Sequence, residues 1–218
     1  MLDDLLSAFN ADEIESAMAS HATEIEVRGQ VRALLRKHTI DARCASSDAA
    51  MATCLHSTIP DGHSLHVLST GDVDALSYIK GLLALHQYAD ELHISTWRIN
   101  TTDLQHLDDL LNQGRIGDFH LLIDPRFERI APDQYSRALE LIGRYPGSTM
   151  RLAPNHSKVT LFCNREQDVW IAIESSANVN TNKRMEQTSL HRSRQLWTFY
   201  ADMFASFKNA DIPPSHAS

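Results

Sequence analysis

Between residues 65 and 152 the sequence alternates short hydrophobic runs, rich in β-forming residues, with longer segments of helical periodicity. The predicted strands are residues 65–69, 92–97, 119–123 and 150–152, and the predicted helices are residues 73–86, 103–112 and 132–145. Gly114 closes the second helix, and Pro146 and Gly147 follow the third. Strands and helices of these lengths predict an α/β fold with a mixed, largely parallel sheet flanked by helices on both faces.

The chain before this alternation predicts a helical N-terminal segment. One hydrophobic stripe covers residues 2–18, a second helix with an apolar and a basic side covers residues 25–38, and a short third helix follows Ser46 or Ser47. The turn signal at residues 59–62 marks the end of this segment. The sequence therefore predicts a helical segment over 1–60, an α/β domain over 61–210 and a flexible tail over 211–218.

The composition argues against several classes of protein. No apolar run approaches the roughly 18 residues of a membrane span, and the acidic start differs from a basic secretory signal. Three cysteines without metal-like spacing indicate free thiols and a reducing, cytoplasmic location. His63, His66, His93 and His120 are too scattered to define a metal site. We therefore expect no metal, no cofactor and no membrane partner.

The charge is unevenly distributed along the chain. The net charge of −8 argues against a protein coated with nucleic-acid-binding surface. Residues 149–208, however, contain eight basic and five acidic side chains, a local balance of +3. This basic region fits a site for a phosphate-bearing substrate, although its arginines fit an ordinary solvated face equally well.

The most reactive combination of side chains lies in the last third of the chain. His156 and Lys158 alternate with less polar residues, which predicts a strand with the imidazole and the ammonium group on one face. Residues 164–168 predict a hairpin loop, and residues 169–173 predict a second strand that leads to Ser176 and Asn178. Antiparallel pairing would bring these groups to one point. The alternative is that His156 is an ordinary hydrogen-bonded histidine of a strand.

This pattern resembles the phospholipase D superfamily. The resemblance rests on His-x-Lys at residues 156–158, a Ser-x-Asn turn at residues 176–178 and the downstream acid Glu186. The pattern is most similar to that of the compact, single-motif members of the superfamily. The chain departs from the family pattern at two places, because Cys163 occupies the position of an Asp and Ser175 that of a Gly.

The resemblance implies a metal-independent phosphodiesterase. His156 would attack phosphorus and form a phosphohistidine, while Lys158 and Asn178 would hold the non-bridging oxygens. Glu186 would orient the imidazole, and Ser176 would brace the same cluster. Compact members of this kind act on nucleic acid, which makes a nuclease the first expectation.

Substrate contacts are predicted at two places. Lys183, Arg184 and Arg192 lie close to the motif in sequence and are expected to bind the phosphates of a nucleic acid. Trp97 and Arg98 end a predicted strand, where substrate-binding residues of α/β sheets tend to lie.

The chain contains one His-x-Lys motif, whereas the superfamily places two motifs opposite each other. The second motif is therefore expected from a second copy, in a homodimer with a shared site. Two other function classes remain open. A lipid phosphodiesterase would need an apolar docking face that the sequence does not show, and the departures at Cys163 and Ser175 are compatible with a non-catalytic binding or assembly module.

Overall fold

The structure is a computed structural model of the chain. It describes the backbone of residues 24–27, 31–34 and 40–45, and it describes residues 55, 59–69, 73–176 and 186–210 with their side chains. The chain divides into two compact units, Met1–Thr39 and Ile40–Ser218. Among the described residues, no helix is long and apolar enough to cross a membrane.

The first unit contains a hairpin. Strand β1 (Glu24–Val27) pairs antiparallel with β2 (Val31–Leu34), and Val27 lies opposite Val31. The helix predicted over residues 25–38 is therefore wrong. Isoleucine and valine favour strands. Over segments of only four residues, their spacing fits the repeat of a helix and that of a strand equally well. The helices predicted over residues 2–18 and after residue 47, and the tail at 211–218, lie outside the described residues.

The second unit is built on an eight-stranded sheet with the order β3-β4-β10-β9-β8-β5-β6-β7. Its strands are β3 (Ile40–Ala45), β4 (Ser64–Ser69), β5 (Ala89–Thr96), β6 (Ile116–Ile123), β7 (Thr149–Leu152), β8 (Val159–Asn164), β9 (Val169–Ser175) and β10 (Glu186–Arg192). The helices are α1 (Ala75–His86), α2 (Thr101–Asn112), α3 (Arg126–Ile130), α4 (Pro132–Arg144) and α5 (Arg194–Ala205).

The predicted α/β class with a mixed sheet is confirmed, but the balance of the sheet differs from the expectation. The four central pairs, from β4 through β10, β9 and β8 to β5, are antiparallel. The three outer pairs, β3 with β4, β5 with β6 and β6 with β7, are parallel. Strand β3 precedes the domain boundary predicted near residue 60, yet it pairs with β4.

Strand β10 has no counterpart in the prediction because its sequence is polar. Thr188 and Ser189 are nevertheless buried in the middle of the sheet. The hydroxyl oxygen of Thr188 lies 2.7 Å from that of Ser175, and the hydroxyl of Ser189 lies 2.8 Å from Nδ1 of His66. Cross-strand hydrogen bonds thus satisfy side chains that an isolated sequence window assigns to solvent.

Each face of the sheet carries its own hydrophobic core. On one face, helices α1, α2 and α4 pack on a large core that includes Tyr78, Phe119 and Phe162. On the other face, Trp197 and Phe204 of α5 pack against Leu161 and neighbouring residues. The prediction of helices on both faces is therefore confirmed. Tyr200 of α5 and Phe207, which follows it, are partly buried against the same core.

Helix α2 begins with a buried carboxyl group. Asp103 is 5% exposed, and its Oδ2 has no hydrogen-bond partner among the described residues. Burial, assisted by the nearby carboxylate of Asp74, raises the pKa of Asp103 from 3.8 to about 7. Its position in the first helical turn favours the charged form, but burial dominates.

We expect Asp103 to make the stability of the protein fall as the pH rises from about 4 to about 7. Between these pH values Asp103 is protonated in the folded state and ionised in the unfolded state. Its contribution to the free energy of unfolding is therefore complete below pH 4 and is lost as the pH rises through 7. Asp103→Asn keeps the shape and removes the titration. It should be more stable than the wild type at pH 8, by roughly 4 kcal/mol at most. Urea unfolding at several pH values gives the free energy of unfolding of both proteins. The same pH dependence in the wild type and in Asp103→Asn would contradict the prediction.

Candidate active site

Polar residues from several strands meet at one end of the sheet. This end contains the carboxyl ends of β4, β5, β6 and β9 and the start of β8 and β10, as the strand register requires. His156 and Lys158 lie in the loop that enters β8. The backbone N–H of Ser175 donates to the carbonyl oxygen of Lys158 at 3.0 Å, so the loop is joined to the end of β9. The antiparallel pairing predicted for the two motif strands is therefore observed between β8 and β9.

His156 and Lys158 precede the strand to which the sequence assigns them. Strand β8 begins at Val159, and the residues before it are held by side chains rather than by the sheet ladder. Asn155 is the main anchor. Its Nδ2 donates to Oγ of Ser95 at 2.8 Å, and its Oδ1 accepts from the N–H of Ser157 at 2.9 Å. This side chain therefore fixes the loop on both sides of His156.

A buried carboxylate supports the same loop. Oδ2 of Asp124 accepts from the N–H of Asn155 at 3.1 Å, and both oxygens of Asp124 accept from the guanidinium of Arg126 at 2.8 Å. The hydrogen bonds from Arg126 hold the pKa of Asp124 well below its ordinary value. Asp124 therefore stays ionised and keeps its bond to the loop. No sequence motif reveals this contact of Asp124 with Asn155.

The two motif side chains contact each other. Nζ of Lys158 lies 3.1 Å from Nδ1 of His156 and donates to the carbonyl oxygen of His156 at 2.8 Å. A protonated ammonium group has no acceptor, so this contact assigns the lone pair of the neutral imidazole to Nδ1 and its proton to Nε2. The imidazole itself is exposed.

Ser176 and Glu186 lie at the adjoining strand ends, since Ser176 follows β9 and Glu186 begins β10. The hydroxyl of Ser176 donates to Oε2 of Glu186, and the N–H of Gln187 donates to Oγ of Ser176 at 3.0 Å. Burial lowers the pKa of Lys158, and the charge of Glu186 opposes that effect. Glu186 therefore favours the ammonium form of Lys158, a contribution that the sequence pattern did not reveal.

Trp97 and Arg98 extend the site at the end of β5. The Trp97 ring lies 6.0 Å from the His156 ring, measured between centroids, with an interplanar angle of 42°. The guanidinium of Arg98 lies over the indole, 5.3 Å from its centroid. Trp97 is half-buried and Arg98 is exposed, so an aromatic ring lies next to His156 and a cation lies next to that ring. Both are where the sequence placed them.

The remaining predicted site residues, catalytic Asn178 and three substrate contacts, fall into two groups. Asn178, Lys183 and Arg184 lie outside the described residues. Arg192 is described, and it ends β10 at the opposite end of the sheet from Glu186. Its guanidinium donates to the carbonyl oxygens of Ile59 at 3.0 Å and Asp168 at 3.2 Å. The structure does not bring Arg192 to the motif, because β10 carries the chain roughly 20 Å away from it.

A cavity of about 570 Å³ adjoins Ser176 and Glu186. Among the described residues, it is lined by Leu68, Glu174, Ser175, Ser176, Glu186, Gln187 and Ser189. The charged residues of this described lining are thus the carboxylates of Glu174 and Glu186, and the described lining contains no cation. A phosphate at this end of the sheet would therefore be attracted by Lys158 and Arg98 rather than by the described cavity wall.

No family model and no curated protein matches the sequence. Among solved structures, a match is found with phosphatidylserine synthase from Haemophilus influenzae Rd KW20, with a TM-score of 0.50 and 14% identity. The match covers 67% of this chain and 40% of that protein, so the chain corresponds to less than half of it. The fold resembles that of phosphatidylserine synthase. The likeness concerns the fold alone.

Two further solved structures show weaker likeness. Polyphosphate kinase from Porphyromonas gingivalis matches with a TM-score of 0.43 and 16% identity, over 64% of this chain and 25% of that one. An archaeal chromatin protein with a novel mode of DNA binding matches with a TM-score of 0.39 and 9% identity, over 66% and 55% of the two chains.

Proposed function

We propose that this chain is a metal-independent phosphodiesterase that cleaves nucleic acid through a phosphohistidine on His156. The observation that carries the proposal is the contact of His156 with Lys158 at an exposed end of the sheet, 3.1 Å between Nδ1 and Nζ. An imidazole and an ammonium group side by side offer a nucleophile and a fixed positive charge to one phosphoryl group.

Reaction at Nε2 of His156 requires that the Lys158 contact changes when substrate binds. In the free site Lys158 donates to Nδ1, which leaves the proton on Nε2. A phosphate oxygen is a stronger acceptor than an imidazole nitrogen, so Lys158 turns to it. The imidazole proton then moves to Nδ1, and Nε2 presents its lone pair to phosphorus.

Two displacements follow. In the first, Nε2 forms a bond to phosphorus, the ester P–O bond breaks and the leaving oxygen takes a proton from a general acid. In the second, water attacks phosphorus, the P–N bond breaks and the water proton returns to the same group. Lys158 stabilises the charge on the non-bridging oxygens in both steps, with Asn178 as a second donor. Glu186 supports the charged form of Lys158, and its hydrogen bond with Ser176 joins the end of β9 to the start of β10.

Nucleic acid is the substrate that the surroundings of His156 favour. The half-buried Trp97 ring and the Arg98 guanidinium above it form a platform of the kind on which bases stack, which contributes roughly 1–3 kcal/mol per base. Lys183 and Arg184 are expected to contact flanking phosphates, whereas the position of Arg192 removes it from this set. Contacts of this type favour binding with little sequence preference.

The general acid is proposed to be His156 of a second copy. A single imidazole cannot readily attack phosphorus and protonate the leaving oxygen in the same step. A two-fold axis beside His156 would supply the second imidazole from an identical chain.

The proposal is tested by hydrolysis of a chromogenic phosphodiester and of single-stranded DNA in EDTA, at a temperature well below the melting temperature. We expect turnover to persist, because every group proposed to touch phosphorus is an organic side chain. Turnover that requires an added divalent ion would contradict the mechanism. Binding of DNA without any hydrolysis would favour the non-catalytic binding module instead.

A further inference from the structure

A second cluster of chemically active side chains lies on the face of the sheet that α5 covers. One ligand atom from each of Glu91, His93 and His120 lies within 4.8 Å of the others. Glu91 and His93 are two residues apart on β5, so they share a face, and His120 of β6 is the register partner of His93. No spacing motif reveals this group, because the register of two parallel strands creates it.

The protein groups around His93 satisfy only one of its two nitrogens. Nε2 of His93 lies 3.0 Å from Oε2 of Glu91, whereas Nδ1 is buried and has no hydrogen-bond partner among the described residues. His93 is 6% exposed, and its ring lies against Trp197 and Phe204, with 5.4 Å between centroids in each case. A buried imidazole with an unpartnered nitrogen is incompletely stabilised by protein groups alone.

The other two side chains are already oriented. The hydroxyl of Thr149 lies 2.9 Å from Nδ1 of His120, and the guanidinium of Arg165 pairs with Oε1 of Glu91. When the Thr149 oxygen accepts from Nδ1–H, the lone pair of His120 is on Nε2. Metal-binding histidines are typically oriented by such a hydrogen bond at their second nitrogen.

We propose that Glu91, His93 and His120 bind one divalent transition-metal ion, and that zinc is the ion this ligand set favours. Two imidazoles and a carboxylate are typical zinc ligands, with bonds of roughly 2.0–2.2 Å that place tetrahedral ligand atoms roughly 3.4 Å apart. One ligand atom of each residue lies within 4.8 Å of the other two, so side-chain rotations bring them to this spacing.

The ion would act on stability rather than on phosphoryl transfer. His93 lies two residues before Ser95, roughly 7 Å along β5, and Oγ of Ser95 holds Asn155 at the base of the His156 loop. The ion would join β5 to β6 beneath that loop without touching phosphorus. Its presence is therefore independent of the proposed hydrolysis.

The test uses the full chain, freed of metal with a chelator and dialysed. Co²⁺ is added while visible absorption is recorded, and Zn²⁺ is then measured by competition with a chromophoric chelator. We expect one ion per chain, the absorption of a nitrogen- and oxygen-ligated Co²⁺ centre, and a higher melting temperature with Zn²⁺. Glu91→Gln and His120→Gln should each weaken Zn²⁺ binding at least tenfold.

His66→Gln is the matched control, since His66 is also a half-buried strand histidine, but it contacts Ser189 and lies outside the cluster. It should bind the ion as the wild type does. Thr149→Val leaves all three ligands in place, so it remains informative if a ligand variant does not fold, and it should weaken binding about tenfold. Failure of the wild type to bind one equivalent, or unchanged affinity in Glu91→Gln, His120→Gln and Thr149→Val, would overturn the proposal. Turnover of the phosphodiester in chelator is a separate measurement, so the metal site and the proposed function fail independently.

Discussion

His156→Ala should lower the rate of phosphodiester hydrolysis by at least about three orders of magnitude, because it removes the atom that bonds to phosphorus. Such a loss corresponds to roughly 4 kcal/mol or more of transition-state stabilisation. The imidazole is exposed, so the free energy of unfolding should change by less than about 0.5 kcal/mol. Initial rates and urea unfolding of the same preparation measure both quantities.

His63→Ala is a suitable control for this experiment. His63 is a half-buried histidine that precedes β4, and its carbonyl oxygen accepts from the N–H of Arg192 at the end of the sheet opposite His156. Its removal should leave the rate unchanged. A His156→Ala protein that retains the wild-type rate would exclude His156 from the chemistry. One that loses its folded structure would show that His156 is a structural histidine.

Mixing His156→Ala subunits with wild-type subunits should lower activity as the square of the wild-type fraction. In a shared site each heterodimer has only one of the two imidazoles, so it lacks either the nucleophile or the general acid. Only wild-type homodimers then hydrolyse the substrate. An equal mixture after complete subunit exchange should therefore retain about one quarter of the wild-type activity. Co-expression of differently tagged chains, followed by separation of the three dimers, measures the heterodimer directly.

Two results would contradict the shared site. Activity that falls in proportion to the wild-type fraction would mean that each chain has a complete site. A fully active monomer in sedimentation velocity would mean the same, and the acid would then have to come from the same chain. Lys158→Ala in the same mixing scheme is a useful comparison, because Lys158 acts on the phosphoryl charge and not on the proton transfer.

Segments whose secondary structure depends on local sequence could be predicted. The alternation of strands and helices from residue 65 to 152 follows from backbone periodicity and from turn residues such as Gly114, which adopts a positive φ of 67°. The proximity of His156 and Lys158 also follows locally, because two residues of separation leave few alternatives. The same local reasoning failed at residues 25–38, where valine and isoleucine satisfied both periods.

The tertiary structure decided which distant residues meet. Strand β10 is polar in sequence, and only its insertion between β4 and β9 buries it and places Glu186 near Lys158 while it carries Arg192 away. Asn155 and Asp124 become anchors of the His156 loop because the ends of β5 and β6 lie beneath it. Glu91, His93 and His120 form a cluster because of the register between β5 and β6. Local periodicity determines how a segment folds, whereas strand order and register determine its neighbours, and these depend on the burial of whole faces of the sheet.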